Sequence, residues 1–242
     1  MLEIKNIYKT FNPGTINEKV ALNGLSLKLN EGDFVTVIGG NGAGKSTMLN
    51  AVAGVWPVDE GQIIIDGTDV TKLSEYKRAA YLGRVFQDPM TGTAATMGIE
   101  ENLALAKRRG KTRFLRSGIT KAEREEYKEL LKILNLGLED RLTSKVGLLS
   151  GGQRQALTLL MATMNPPKLL LLDEHTAALD PGTAEKVLNL TSRIVEEHHL
   201  TCLMITHNMQ SALELGNRIL MMDSGDIVLD IKEEEKKGLT VE

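Results

Sequence analysis

Residues 33–54 read DFVTVIGGNGAGKSTMLNAVAG. An apolar, β-branched run ends in a glycine cluster, and from Lys45 the apolar positions fall at helical spacing until Gly54, so a buried strand feeds through a glycine loop into a helix. Within the stretch, Gly39, Gly44, Lys45 and Ser46 occupy the fixed positions of G-x-x-x-x-G-K-[ST]. Glycines tolerate positive φ, so the backbone N–H groups of Asn41, Gly42, Ala43 and Gly44 are free to turn inward on phosphate oxygens. The following helix aims its positive end at the same charge. Lys45 is placed to reach the β and γ phosphates of a nucleoside triphosphate, the Ser46 hydroxyl to ligate Mg²⁺, and Thr47 to add a phosphate contact.

Such a loop needs a second metal anchor and a group that activates water. Residues 168–180, KLLLLDEHTAALD, supply both. Consecutive leucines describe a strand buried on both faces, whose carboxyl end carries Asp173 toward the metal and Glu174 toward the attacking water as general base. Side by side in the strand, their side chains point to opposite sides and divide these tasks.

Outward from these segments, LEIKNIY, VALNGLSLKL and the pair around GQIIIDGTDV read as strands, YLGRVFQ and LTCLMIT as further core strands, and residues 184–197 as a helix. The expected fold class is α/β, a P-loop NTPase with a mostly parallel core sheet, an N-terminal antiparallel β subdomain and an inserted α-helical subdomain. It forms a single domain over residues 1–242, with a RecA-like core plus antiparallel strands in 1–87 and 151–242 and the helical insertion in 88–150. The insertion carries the basic cluster Lys107, Arg108, Arg109, Lys111, Arg113 and Arg116. This is either a contact for anionic headgroups or an acidic loop, or a solvated stretch offset by the acidic helix after it.

With 242 residues, 42% hydrophobic, 25% charged and a net charge of -3, the chain matches a globular protein and not a general nucleic-acid binder. The single cysteine, Cys202, lies in an apolar run, which predicts a buried structural thiol and a reducing compartment. MLEIKNIYKTF lacks the charge pattern of a secretory signal, and no window reaches the roughly 20 apolar residues of a bilayer span, so a peripheral cytoplasmic location is expected.

Residues 149–153, LSGGQ, begin another helix: Ser150 is an N-cap hydroxyl, Gly151 and Gly152 expose backbone N–H groups, and Gln153 follows, making a second anion site. This segment, about 20 residues before the Asp173-Glu174 pair, resembles the signature motif of ATP-binding-cassette (ABC) ATPases. The resemblance extends over essentially the whole chain. It implies MgATP as ligand and a head-to-tail dimer with a second copy, in which Ser150, Gly151, Gly152 and Gln153 close on the γ-phosphate held by the opposite chain. It further implies that Gln87 approaches Mg²⁺ and the attacking water, that Asp180 links the two sites, and that His207 contacts γ-phosphate and positions Glu174. Adenine is expected to stack on Phe11, with Val20 nearby; Tyr8 is the alternative, and Trp56 reads as core or an edge contact. His175 stands where the family usually has proline, which bears on the geometry leading to Asp180.

The family resemblance also implies separate transmembrane permease subunits and, if the system imports, an extracytoplasmic solute-binding protein acting through them, on the cytoplasmic side of the membrane. Import of a small, amino-acid-like solute is the expected role. The alternatives are a soluble ABC-type ATPase acting on nucleic acid or ribosomes, whose paired cassettes and strong basic faces are not seen here, and a non-hydrolysing nucleotide switch, against which Glu174 and His207 argue.

Overall fold

Two sheets meet on the glycine loop. The computed structural model describes residues 1–111 and 118–236. Strands β1 (Leu2–Phe11), β2 (Lys19–Leu29), β4 (Glu60–Ile65) and β5 (Thr68–Asp69) form an antiparallel sheet in the order β2-β1-β4-β5. Strands β3 (Phe34–Gly39), β6 (Leu82–Val85), β7 (Leu169–Asp173), β8 (Thr201–Ile205), β9 (Arg218–Asp223) and β10 (Asp226–Lys232) form a second sheet in the order β10-β9-β3-β8-β7-β6. All its pairings are parallel except the β9-β10 hairpin.

The helices are α1 (Lys45–Ala53), α2 (Glu75–Arg78), α3 (Ile99–Lys107), α4 (Lys121–Lys132), α5 (Gly151–Thr163), α6 (Pro181–Glu197), α7 (Met209–Glu214) and α8 (Glu233–Lys236). The parallel sheet is covered on both faces, and strand alternation sorts its side chains between two cores. In β7, Leu169 and Leu171 join the cluster made with α1 and the antiparallel sheet, whereas Leu170 and Leu172 join the cluster made with α3, α4, α5 and α6. All four leucines are fully buried, each worth about 2 kcal/mol of apolar transfer. The second cluster runs without a break from Ile99 and Leu131 into the sheet, so the helices between β6 and β7 share a core with it. Cys202 sits in that cluster, and burial pushes its thiol up.

Three of the six basic residues are used internally. Lys107 pairs with Glu126, Arg108 with Glu123, and Arg109 donates to the Ala162 and Asn165 carbonyls, which favours the internally offset reading of that cluster. Arg113 and Arg116 lie outside the described residues.

The carboxyl end of α1 is held from outside. Gly54 caps it with φ of 83°, and the buried Arg78 of α2 donates to the carbonyls of Ala51 and Val52 while also bonding those of Leu73 and Thr71. A guanidinium placed there satisfies exposed helix-end carbonyls and opposes the negative end of the dipole. Replacing Arg78 with Met would strip several buried carbonyls of their partner. The expected loss is about 3 kcal/mol of stability, read as a lower denaturant midpoint with an unchanged m-value.

Candidate functional site

At the carboxyl ends of β3, β7 and β8 lies a cavity of about 320 Å³. Its floor is the loop 41–47, its aromatic wall Phe11 and Trp56, and its rim Glu174 and His207. This is where a parallel sheet opens, because β3, β7 and β8 all deliver their following loops to one side.

The floor is shaped by close approach. Gly44 has φ of 100°, and a Cβ on it would stand 2.6 Å from the Ala21 carbonyl oxygen of β2, so neither the conformation nor the space admits a side chain. Lys45 is nearly buried; its ammonium donates to the carbonyls of Gly39 at 2.8 Å and Gly40 at 3.0 Å. An ammonium has three donors, so one remains for an anion in the cavity. Asp173 closes the β7 end. Its desolvation raises the carboxyl above the ordinary aspartate value, while Arg84 and the hydrogen-bonding Ser46 hydroxyl pull it down. Ser46 and Asp173 thus bring two hard oxygen donors together, which suits Mg²⁺, a cation that takes one or two protein oxygens alongside substrate phosphates.

Glu174 departs from the expected geometry. The strand ends at Asp173, and Glu174 has φ of 47°, so a left-handed turn and not strand alternation separates the two carboxylates. The turn is held by the Glu174 N–H donating to the Ile205 carbonyl at 3.0 Å. This conformation costs a non-glycine residue on the order of 1 kcal/mol. It brings the Glu174 carboxylate to 2.6 Å from Nε2 of His207, with Glu174 largely shielded and His207 half exposed.

His175 takes the next position and is buried. Nε2 lies 3.0 Å from the Thr191 hydroxyl, which itself donates to the Val187 carbonyl; the hydroxyl proton being spent, Nε2 carries the hydrogen and donates. The turn after Glu174 is thereby fastened to α6, and burial pushes the imidazole down to about 4. Asp180, exposed, caps α6 by accepting from the Thr183 N–H at 3.1 Å, and that bonding holds its carboxyl below the usual range.

Phe11, not Tyr8, stands in the cavity wall, with Trp56 edge-on to it at 4.9 Å between centroids. Tyr8 instead lies against Gly24 across the sheet. Val20 is half exposed and outside the wall, which is completed by its neighbours Lys19 and Ala21. Gln87, exposed beyond the end of β6, is also outside the cavity. Ser150 caps α5, accepting from the Gln153 N–H at 3.3 Å while the Gln153 side chain accepts from Ser150 N–H at 3.1 Å. Ser150, Gly152 and Gln153 border a different cleft, against α6 and the segment that follows α4, and none of the four signature residues lines the nucleotide cavity. A Cβ on Gly152 would meet the Thr183 methyl group at 2.1 Å, so the start of α5 packs its bare backbone against a side chain of α6.

Trp56, which reads from the sequence as core or an edge contact, makes an edge contact to Phe11 in the wall, whereas Lys19 and Arg84 belong to no motif. The signal for Arg84 was available: a lone cation in the apolar strand LGRVF. Lys19 carries no local signal, since it enters the site only through the meeting of the two sheets.

The ABC transporter family model matches residues 22–177. A tyrosine transport ATP-binding protein of Clostridioides difficile (strain R20291) is 47% identical over 247 aligned residues, covering 100% of this chain and 96% of the relative. A methionine import ATP-binding protein of Corynebacterium diphtheriae is 36% identical over 94% of this chain, which spans 64% of that relative. Among solved structures, a dimeric ATP-binding cassette in a post-hydrolysis state with ADP and Pi superposes with a TM-score of 0.81 at 32% identity, covering 96% of this chain and 99% of that one. The chain belongs to the ABC transporter family as an ATP-binding subunit of importer-like type, and it is an ATPase.

Replacing Phe11 with Ala is expected to weaken ATP binding by about 1–2 kcal/mol, roughly five- to thirtyfold in Kd by nucleotide fluorescence titration. Because His175 falls from the ordinary 6.5 to about 4 on folding, its contribution is complete above pH 6.5. Stability then declines by about 1 kcal/mol per pH unit toward pH 4 as the unfolded chain takes up the proton. Denaturant unfolding of His175→Gln should show a shallower decline over that window.

Proposed function

We propose that two copies of this chain form the ATP-driven motor of an importer for a small amino-acid-like solute. They would face each other head to tail, so that Ser150, Gly151, Gly152 and Gln153 of one close on the nucleotide held by Lys45 of the other. One observation carries this reading: the two anion-binding helix starts belong to one chain yet open on different clefts. A nucleotide in the Lys45 cavity reaches a signature segment only by way of a second molecule. The dimeric state of the structurally similar cassette supports the same arrangement.

Within each site, Asn41, Gly42, Ala43, Gly44, Lys45 and Thr47 would cradle the phosphates, Phe11 would stack adenine, and Ser46 and Asp173 would hold Mg²⁺. The bound metal would neutralise charge on the β and γ phosphates. Glu174 would take the proton of the attacking water while His207, hydrogen-bonded to it, orients the carboxylate. Gln87 would enter the metal shell on closure, moving inward from its exposed position, and Asp180 would sit at the dimer seam. We assign residues 88–150 to a helical subdomain and the remainder to the nucleotide-binding core.

Docking to transmembrane permease subunits would use the groove of about 240 Å³ between α2, β6, α3 and α5, whose walls combine the core sheet with the inserted helices. No helix among the described residues is long and apolar enough to cross a membrane, so attachment to the cytoplasmic face would run through that groove. An amino-acid-like cargo fits the tyrosine and methionine transport named for two similar subunits, and an importer of this kind would work with a solute-binding protein outside the membrane.

The Glu174→Gln variant separates binding from turnover. It should bind MgATP with near-native affinity, hydrolyse it at least about a hundredfold more slowly, and elute as a dimer only with MgATP. A variant that hydrolyses normally removes Glu174 from the chemistry. One that stays monomeric at saturating MgATP, or dimerises unchanged when Ser150 is replaced by Arg, removes the head-to-tail reading.

A further inference from the structure

Arg84 occupies a position that no step above uses. It extends from β6 beneath Asp173, with Nη2 bonded to the Asn50 side chain at 2.7 Å and 4.0 Å from the Asp173 carboxylate. Asn50 in turn donates to the Ser46 main-chain carbonyl at 2.7 Å, so the guanidinium stands beside Asp173 and is tied through Asn50 to the first turn of α1, which carries Ser46. Its planar group lies over the Phe86 ring at 4.5 Å, and its Nε, although buried, has no hydrogen-bond partner among the described residues. Burial works against this charge, and two carboxylates hold it: Asp173 most strongly, then Glu75.

Those two carboxylates belong to different places. Asp173 ends the strand beneath the nucleotide cavity, whereas Glu75 lines the groove between the core and the inserted helices, together with Arg84, Phe86, Arg109 and Met161. Arg109 is held there through Nη2 by two main-chain carbonyls, whereas Arg84 keeps a buried Nε with no hydrogen-bond partner among the described residues.

We propose that Arg84 is a positioning residue that links magnesium occupancy to the docking groove, serving as the counter-ion of Asp173 without the metal and turning toward Glu75 and the groove when Mg²⁺ neutralises Asp173. The proposal rests on the reading of Asp173 as a magnesium ligand. A dication and a guanidinium compete for one carboxylate, so the metal weakens the Arg84–Asp173 attraction. Released toward the groove, with Nε still to satisfy, Arg84 would favour a docked segment offering a carboxylate or free helix-end carbonyls. By linkage, a ligand that holds Arg84 in the groove would raise magnesium affinity by the same factor.

The test uses the full chain with a non-hydrolysable ATP analogue, titrated with Mg²⁺ and followed by two signals. One is a fluorescent nucleotide that reports the magnesium midpoint; the other is the methyl resonance of Met161 in the groove, assigned with Met161→Leu. In the native chain the Met161 signal should shift with the same midpoint as the nucleotide signal. Arg84→Met should bind Mg²⁺ at about three- to tenfold lower concentration, because the competing cation is gone, and its Met161 signal should no longer follow the metal. Arg84→Lys, which keeps the charge, should retain a near-native midpoint, and agreement of the remaining methionine methyls with the native spectrum would verify the fold. Asp173→Asn should raise the midpoint at least about tenfold. An unmoved midpoint there overturns the metal reading and this proposal with it. A normal loss in Asp173→Asn beside an unchanged or weakened midpoint in Arg84→Met overturns the proposal alone.

Discussion

The structure depends on a contact of backbone against backbone where the two sheets meet the phosphate loop. Asn23 of β2 donates its N–H to the Gly225 carbonyl at 3.1 Å, and Gly225, in the β9-β10 turn, donates to the Ala43 carbonyl at 3.0 Å. The loop thus lies between an antiparallel strand and the turn of the last hairpin, with Gly44 against Ala21 leaving no room for a side chain. The aromatic wall comes from the antiparallel sheet and its neighbourhood, while the phosphate floor comes from the parallel one. This junction sets the distance between them, as a site that must fit a base at one end and a triphosphate at the other requires.

Charge in the site is organised before any ligand arrives. Lys45 is held by carbonyls of its own loop, Asp173 is offset by Arg84 and Ser46, and Glu174 is joined to His207. Each group has a partner that a bound nucleotide or metal would replace or supplement, so the cost of gathering these charges has been met by the fold and little reorganisation remains for the reaction. The strained turn at Glu174 belongs to the same preorganisation. It is kept by a main-chain bond to β8 on one side and by the buried His175–Thr191 contact on the other. His175 therefore fixes this turn through a buried hydrogen bond to α6.

Much of the fold was legible because its signals are local. The strand-loop-helix at 33–54, the fully apolar strand before Asp173 and the capping box at Ser150 each encode their conformation within about ten residues, through side-chain alternation, glycine φ freedom and N-cap bonding. The family resemblance favours Phe11 over Tyr8, and Phe11 stands in the cavity wall. Less legible were side chains whose surroundings come from distant segments. Glu174 was expected to continue the strand, yet a bond to Ile205 turns it into the left-handed region. Val20, expected from the resemblance beside the base, lies outside the cavity wall, which Lys19 and Ala21 complete.

By itself, then, the sequence determined the phosphate loop, the order of strands and helices, and which side chains are candidates for acid, base and metal-binding roles, because backbone preference and periodicity act between near neighbours. The tertiary structure alone decided which of them meet. Arg84 reaches Asp173 because β6 pairs with β7 in a register that sets Arg84 beside Leu171, the Trp56 and Phe11 rings meet across two elements, and the signature helix opens on a cleft apart from the nucleotide cavity. These proximities are set by sheet register and close packing between segments up to a hundred residues apart, and no short window of sequence contains them.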